Sequence, residues 1–199
     1  NIYFYGEKFM KREKIDFLKK MYNVNPETGN YIIELNLDSY LEVFNEWDHS
    51  SYKRRDMAPE LASFLEECSE DISLKYDIDI FMYLPKELQE PEKEKIISNG
   101  IHSYYNFYAV TEKKSLKKQN KEMINFIVIA FILIFLNIII SSHIHSIIAR
   151  GLTQGLVVGA WVFLWEPITF FTFERREISD IVRTYERLAN ANIYFKYLK

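Results

Sequence analysis

The residue types that could carry chemistry in this chain are a few carboxylates, amides and histidines, and the first of them is Glu166. It is the only acidic residue within two long apolar stretches, and Pro167 follows it directly. A carboxylate inside a membrane is costly and is often functional. The alternative is a shallow carboxylate that reaches head-group water or an arginine, and the nearby threonines favour it. Asn137 is a second polar candidate, since an amide can hydrogen-bond across helices.

Two further pairs have the residue types of a metal site. Asp77 and Asp79 alternate with isoleucines, a spacing similar to the metal-binding carboxylate pairs of nucleotide-sugar transferases. A strand with one polar face explains the same alternation without a metal. His143 and His145 are also two residues apart, but two ligands without a third are poor support for a metal site. Exposed loop histidines are the simpler interpretation. We therefore expect no metal and no cofactor.

The densest polar cluster lies in residues 46–56, where Asp48, Tyr52 and Arg55 are candidates for contact with a ligand or another subunit. A salt-bridged loop that fixes the following helix is the alternative. The chain contains no phosphate-binding loop, dinucleotide glycine fingerprint, nucleophile elbow or zinc-binding helix motif. We therefore expect no catalytic residue and a protein that is not an enzyme.

These side chains must be positioned by elements that the hydropathy pattern marks clearly. Residues 123–142 and 152–173 are two apolar stretches of about 20 residues, the length with which a helix crosses a bilayer core of roughly 30 Å. A backbone inside hydrocarbon must satisfy its own hydrogen bonds, which favours helices. The pattern predicts a two-pass hairpin with an external hinge at residues 143–151. No secretory signal is visible, so we expect membrane entry to rely on the hairpin.

Basic residues flank both predicted spans and indicate their orientation. Such residues within about 15–20 positions of a span mark its cytoplasmic side. We therefore expect both termini in the cytoplasm, with the basic side chains against anionic lipid head groups. The residues concerned are Lys113, Lys114, Lys117, Lys118, Lys121, Arg175 and Arg176. Residues 1–111 contain 21 acidic and 13 basic side chains, and this acidic excess argues against nucleic-acid binding.

Glycines in the second span indicate helix packing. Gly151, Gly155 and Gly159 recur every four residues and share one face of a helix, where small residues let another helix approach closely. That other helix is either the first span of the same chain or a span of another copy, and the sequence leaves both open. On the second alternative the protein is a homo-oligomer.

The residues outside the hairpin predict one small α+β domain with a mixed sheet. Strands are expected at residues 31–37, 77–84 and 192–198. Asp38 or Ser39 is expected to cap a short helix. A longer helix is expected to begin at Pro59, with an apolar stripe formed by Leu61, Phe64 and Leu65.

A further helix is expected to run from Pro91, with a break or two, into the first span. The predicted organisation is a cytoplasmic α+β domain, a basic juxtamembrane helix, a transmembrane hairpin, and a C-terminal helix and strand that return to the domain. The boundaries are residues 1–111, 112–122, 123–142, 143–151, 152–173 and 174–199. The single cysteine, Cys68, excludes an internal disulfide and suits a reducing compartment.

Part of the sequence resembles an uncharacterised family of small prokaryotic membrane proteins with two transmembrane helices. The polar cluster matches the family pattern at Trp47, Asp48, Tyr52, Arg55 and Met57, but has His49, Ser50 and Ser51 where the family has Pro-Arg-Pro. The segments 159–165 and 185–188 are similar to its second span and tail. The likeness covers residues 31–195. It implies a two-span topology and an α+β cytoplasmic domain at the plasma (inner) membrane of a prokaryote, and it implies no activity.

Three functions follow from these patterns. The first is a non-enzymatic membrane protein that self-associates through its hairpin and displays its domain in the cytoplasm as a scaffold or assembly element. The second is an oligomeric ion-conducting or membrane-perturbing effector, with Glu166 and Asn137 along a pore. The third is a membrane-surface enzyme centred on Asp48, Tyr52 and Arg55. The first is preferred because the sequence offers a packing face and no catalytic constellation.

Overall fold

The computed structural model describes residues 18, 20–45, 47–48, 56–143 and 146–198. The chain divides into two compact units. Asn1–Ala109 and Arg183–Lys199 form the first, which we call the α+β unit, and Val110–Val182 form the second, which we call the helical unit. The fold class is α+β, as predicted.

Among the described residues, the sheet of the α+β unit has three strands, all parallel, in the order β1-β2-β3. The strands are β1 (Tyr31–Asn36), β2 (Ile78–Pro85) and β3 (Asn192–Leu198). Tyr31 pairs with Ile78, and Ile80 pairs with Ile193. All three strands lie where the sequence placed them, but the predicted mixed sheet was wrong. The strands are parallel because each connection is a long helical crossover and not a tight turn.

The long helices are α1 (Pro59–Asp71), α2 (Pro91–His143), α3 (Ile147–Thr169) and α4 (Arg175–Ala189). Pro59 and Pro91 each open a helix, where the missing N–H of proline is harmless. Short 3₁₀ helices cover Tyr40–Val43 and Lys86–Leu88. As expected, Ser39 caps the first of these: its hydroxyl accepts from the Leu41 N–H, and Glu42 reaches back to the Ser39 N–H.

The core of the α+β unit lies between one face of the sheet and the helices. Its largest fully buried side chains come from the strands, α1, the first turns of α2 and the end of α4. Tyr105 of α2 lies at its centre and donates to the Ala62 carbonyl at 3.3 Å. The stripe predicted for α1 is only partly correct. Leu61 and Leu65 are buried, but Phe64 is 41% exposed because a narrow stripe suffices for this short helix.

The helical unit contains two helices that are long and apolar enough to cross a membrane, judged by length and composition. The helix α2 has no break between Pro91 and His143, whereas a break or two was predicted. The next helix, α3, begins at Ile147, which lies inside the hinge predicted for residues 143–151. His145 lies outside the described residues.

Candidate functional site

The glycines of α3 differ in what they meet. Gly159 packs within the chain, since a Cβ added there would lie 3.6 Å from Leu133 Cδ1 of α2. Gly151 and Gly155 meet nothing: among the described residues no heavy atom lies within 4 Å of an added Cβ. The glycine stripe is therefore compatible with both alternatives, packing against the first span of the same chain and packing against another copy. One end of the stripe packs against the first apolar helix, and the other end has open space beside it among the described residues.

Glu166 lies on the same face of α3 as these glycines. Successive residues of a helix are rotated by about 100°, so Gly155, Gly159, Val162 and Glu166 fall within roughly 40° of one line along α3. Val162 and Glu166 are both exposed. We call Gly151, Gly155, Val162 and Glu166 the α3 face. It combines an open, small-residue surface with a carboxylate.

Two contacts set the level of Glu166 along the hairpin. Leu133 of α2 lies beside Gly159, and the ring of Phe126 packs against that of Phe163 at 5.7 Å. The two helices run antiparallel, so one further turn places Glu166 beside residues 123–125, the first residues of the apolar stretch of α2. Glu166 is therefore close to the polar end of that stretch. This position is consistent with a carboxylate that reaches head-group water or an arginine. Asn125, at the same level, is also exposed.

A π-helical segment that the sequence did not predict joins α3 to α4. It covers Phe170–Glu174 and begins three residues after Pro167. Proline has no N–H to donate and its ring clashes with the carbonyl four residues earlier, so Pro167 disturbs the turn before it and does not by itself account for this segment. Pro167 and Phe170 are buried. Such π-segments are often found at functional positions.

The basic residues predicted to contact lipid are all exposed. They are Lys113, Lys114, Lys117, Lys118 and Lys121 of α2, and Arg175 and Arg176 of α4. The five lysines recur at helical spacing and share one side of α2. Lys118 forms an exposed ion pair with Glu122 at 3.9 Å. The remaining predicted polar residue, Asn137, is half-buried.

The polar cluster of residues 46–56 is only partly described. Asp48 closes the neck of the loop, because its Oδ2 accepts from the Asp56 N–H at 2.7 Å. This bond favours the interpretation in which the loop is fixed to the following helix. Tyr52 and Arg55 lie outside the described residues.

A groove of about 690 Å³ lies next to Asp56 in the α+β unit. Its size is within the range of small-molecule pockets, roughly 300–1,000 Å³. Burial raises the pKa of Tyr104, which lines it, well above the ordinary value, so this phenol is neutral at pH 7 and can donate a hydrogen bond. The described lining is mainly apolar and aromatic and includes Phe44, Met57, Ile97, Gly100, Tyr104 and Tyr108.

Asp79, on the predicted polar face of β2, is fully buried. Its Oδ2 accepts from Asn25 Nδ2 at 2.5 Å and from Thr28 Oγ1 at 2.6 Å. Its Oδ1 accepts from Asn30 Nδ2 and Asn192 Nδ2, both at 2.9 Å. Burial raises the pKa of Asp79, but the four hydrogen bonds outweigh it and hold the pKa below its ordinary value. Asp79 thereby ties the loop before β1 to β2 and β3.

Arg187 is the buried cation of the α+β unit. Its Nη1 donates to the carbonyls of Ile72, Ser73 and Tyr76 at 3.0–3.2 Å. Its Nη2 donates to the carbonyl of Ser69 and, at 2.7 Å, to the Ser69 hydroxyl. Burial lowers the pKa of Arg187, although nearby Asp77 opposes this. The guanidinium thus satisfies the carbonyls at the C-terminal end of α1, where the helix dipole favours a cation.

Within the described residues, no three histidine, cysteine, aspartate or glutamate side chains converge as they would around a metal ion. Asp77 and Asp79 have separate roles, since the charge of Asp77 raises the pKa of Arg187 and Asp79 accepts four hydrogen bonds.

Comparisons of the chain with profiles of protein families, with curated proteins and with solved structures found no match. The resemblance of residues 31–195 to the uncharacterised two-helix family therefore stays a prediction. The functional conclusion rests on the geometry of the α3 face and of the residues around it.

Proposed function

We propose that this chain is a non-enzymatic, two-pass membrane protein that self-associates through the α3 face and displays the α+β unit in the cytoplasm. Its role would be that of a scaffold or assembly element. The two apolar helices form the membrane hairpin, and the basic residues beside them lie against anionic head groups.

The observation that carries this proposal is the open end of the α3 face. If the glycines served only to pack the two helices of one hairpin, all three would be expected to contact α2. Of the three, only Gly159 lies against a side chain of α2. Glycine in a helix interior costs about 1 kcal/mol relative to alanine. At Gly151 and Gly155 this cost is not offset by a contact among the described residues, and close approach of a second α3 helix would offset it. Glu166 on the same face would then be covered by protein.

Substitution of Gly155 tests self-association. Gly155→Leu should leave the hairpin intact, because the Cβ atom that it adds enters open space, but it should block a second helix. Val157→Leu is the matched control, since Val157 is exposed and lies about 140° from Val162 around the helix. We expect the association constant in micelles to fall about tenfold for Gly155→Leu, equivalent to about 1.4 kcal/mol, and to stay unchanged in the control. A wild-type chain that stays monomeric at all concentrations, measured by light scattering, refutes the proposal.

Cysteine labelling tests the orientation. In a Cys68→Ser background, Ser146→Cys reports the hinge and Lys117→Cys reports the basic side. Both positions are exposed. A membrane-impermeant maleimide should label position 146 in intact cells and position 117 only after permeabilisation. The reverse pattern contradicts the proposed topology.

The placement of Glu166 on the α3 face favours ion conduction as a second candidate. A ring of hairpins packed through this face would bring several Glu166 carboxylates together near one end of the apolar stretch. Cation flux into liposomes should then fall when Glu166→Gln removes the charge. Flux equal to wild type for Glu166→Gln excludes a pore lined by Glu166 and leaves the scaffold role.

A further inference from the structure

The two edges of the sheet differ in how they are protected. The β1 edge is covered by the preceding segment: Val24 pairs with Tyr31, and the Ile32 N–H donates to the Asn23 carbonyl at 2.8 Å. At the β3 edge, no described residue makes a backbone hydrogen bond to the outer side of the strand. This strand has seven residues and contains neither proline nor glycine. Its only charged side chain is Lys196. An edge of this length that has no backbone partner among the described residues is a template for pairing with another strand.

The register shows which backbone groups of β3 are available. The Tyr31 N–H donates to the Asp77 carbonyl, so odd-numbered residues of β2 face β1 and even-numbered ones face β3. Since Ile80 pairs with Ile193, the even-numbered residues of β3 bond to β2. The N–H and C=O groups of Ile193, Phe195 and Tyr197 therefore point away from the sheet.

We infer that the β3 edge binds the same edge of a second copy, antiparallel and with the two-fold axis at Phe195. Phe195 then faces its own equivalent, and Ile193 faces Tyr197 of the second copy. These odd-numbered pairs present outward N–H and C=O groups to one another and form up to about six backbone hydrogen bonds. The two three-stranded sheets become one continuous sheet.

Side-chain chemistry favours a second copy over an unrelated strand. With the axis at Phe195, Lys196 lies opposite Tyr194 of the second copy, and the pair occurs twice. Lys196 already makes such a contact within its own chain, with its Nζ 5.0 Å from the ring centre of Phe81. No two like charges oppose each other, because Lys196 is the only charged residue of the strand. The strand is therefore complementary to itself.

Cysteine crosslinking in membranes tests the pairing and its register. Tyr194→Cys and Lys196→Cys are each made in the full-length Cys68→Ser chain with different tags and are expressed singly or together. Positions 194 and 196 of opposite strands have Cβ atoms roughly 4.5–5.5 Å apart, whereas two copies of one position are roughly 7–8 Å apart. We expect a disulfide-linked mixed dimer on mild oxidation, several-fold above the yield of either variant alone. No mixed dimer, or equal yields in all three samples, overturns the inference.

A second variant tests the same edge without cysteine. Tyr194→Lys places two lysines opposite each other and should weaken pairing, whereas Tyr194→Lys with Lys196→Glu should restore it. An association constant in micelles that Tyr194→Lys leaves unchanged also contradicts the inference. The result is separable from self-association through α3: an oligomer without the mixed disulfide overturns only the β3 pairing. A mixed disulfide together with a size unaffected by Gly155→Leu overturns only the α3 face.

Discussion

Asp79→Asn should destabilise the α+β unit strongly, although it changes only one atom. The carboxylate accepts four hydrogen bonds through its two oxygens. The amide retains one oxygen and places an NH₂ group against two donors. Re-orientation of Asn25 does not repair this, since Asn25 Oδ1 already accepts from the Glu27 N–H at 3.1 Å. If the NH₂ group takes the other oxygen site, Asn30 and Asn192 must both rotate.

The size of the effect follows from the two bonds that are lost. A hydrogen bond to a charged group contributes about 1.5–3 kcal/mol, and the two retained bonds also weaken when the charge is removed. The variant no longer buries a charge, which offsets part of the loss. We expect the free energy of unfolding to fall by about 3 kcal/mol. With an m-value of about 2 kcal/mol/M in urea, the midpoint falls by about 1.5 M.

The assay is urea unfolding of the full chain in micelles, followed by the near-ultraviolet circular dichroism of the tyrosines. Asp38→Asn is the control, since Asp38 is an exposed carboxylate of the same unit. The pKa of Asp79 is lowered in the folded state, so its contribution is present above the unfolded pKa of about 3.9 and is lost as the pH falls through the folded value. The deficit of Asp79→Asn should therefore shrink below pH 4. A midpoint equal to that of Asp38→Asn would falsify the bonding described for Asp79.

Three more outcomes are expected in the same assay. Arg187→Lys should lower the free energy of unfolding by about 2–3 kcal/mol, because one ammonium group cannot donate to all four carbonyls that the guanidinium reaches. Arg183→Lys is the control, since Arg183 is exposed. Equal urea midpoints for the two variants contradict the reasoning. Gly29→Ala should cost about 1–2 kcal/mol, because Gly29 has φ +77° in the loop that reaches Asp79; an unchanged midpoint contradicts this. Burial, assisted by the hydrogen bond to Glu94, raises the pKa of Tyr40 to about 12 in the folded state. The unfolded chain loses this proton at about pH 10, so the free energy of unfolding should decrease between about pH 10 and 12. Tyr40→Phe should flatten that alkaline loss, and an unchanged alkaline slope would rule out Tyr40 as its source.

Much of the fold could be predicted because its signals are local. The two apolar helices follow from their length and hydropathy, and the strands at Tyr31–Asn36, Ile78–Pro85 and Asn192–Leu198 follow from short apolar runs. The common face of Gly155 and Glu166 also follows from sequence numbers, because helical geometry places residues eleven apart on one line. Such features depend on neighbours in the chain, and the sequence by itself determines them.

Only the tertiary structure decided which of these residues are buried and bonded and which stay exposed. Asp79 is a bonded core residue because Asn25 and Asn192, far apart in the chain, converge on it. Arg187 is structural because it reaches carbonyls of α1 more than a hundred residues away. The strand order leaves β3 at an edge, and only the contact with Leu133 separates Gly159 from Gly155. Burial and bonding between distant residues depend on how the elements pack, and no local pattern contains that information.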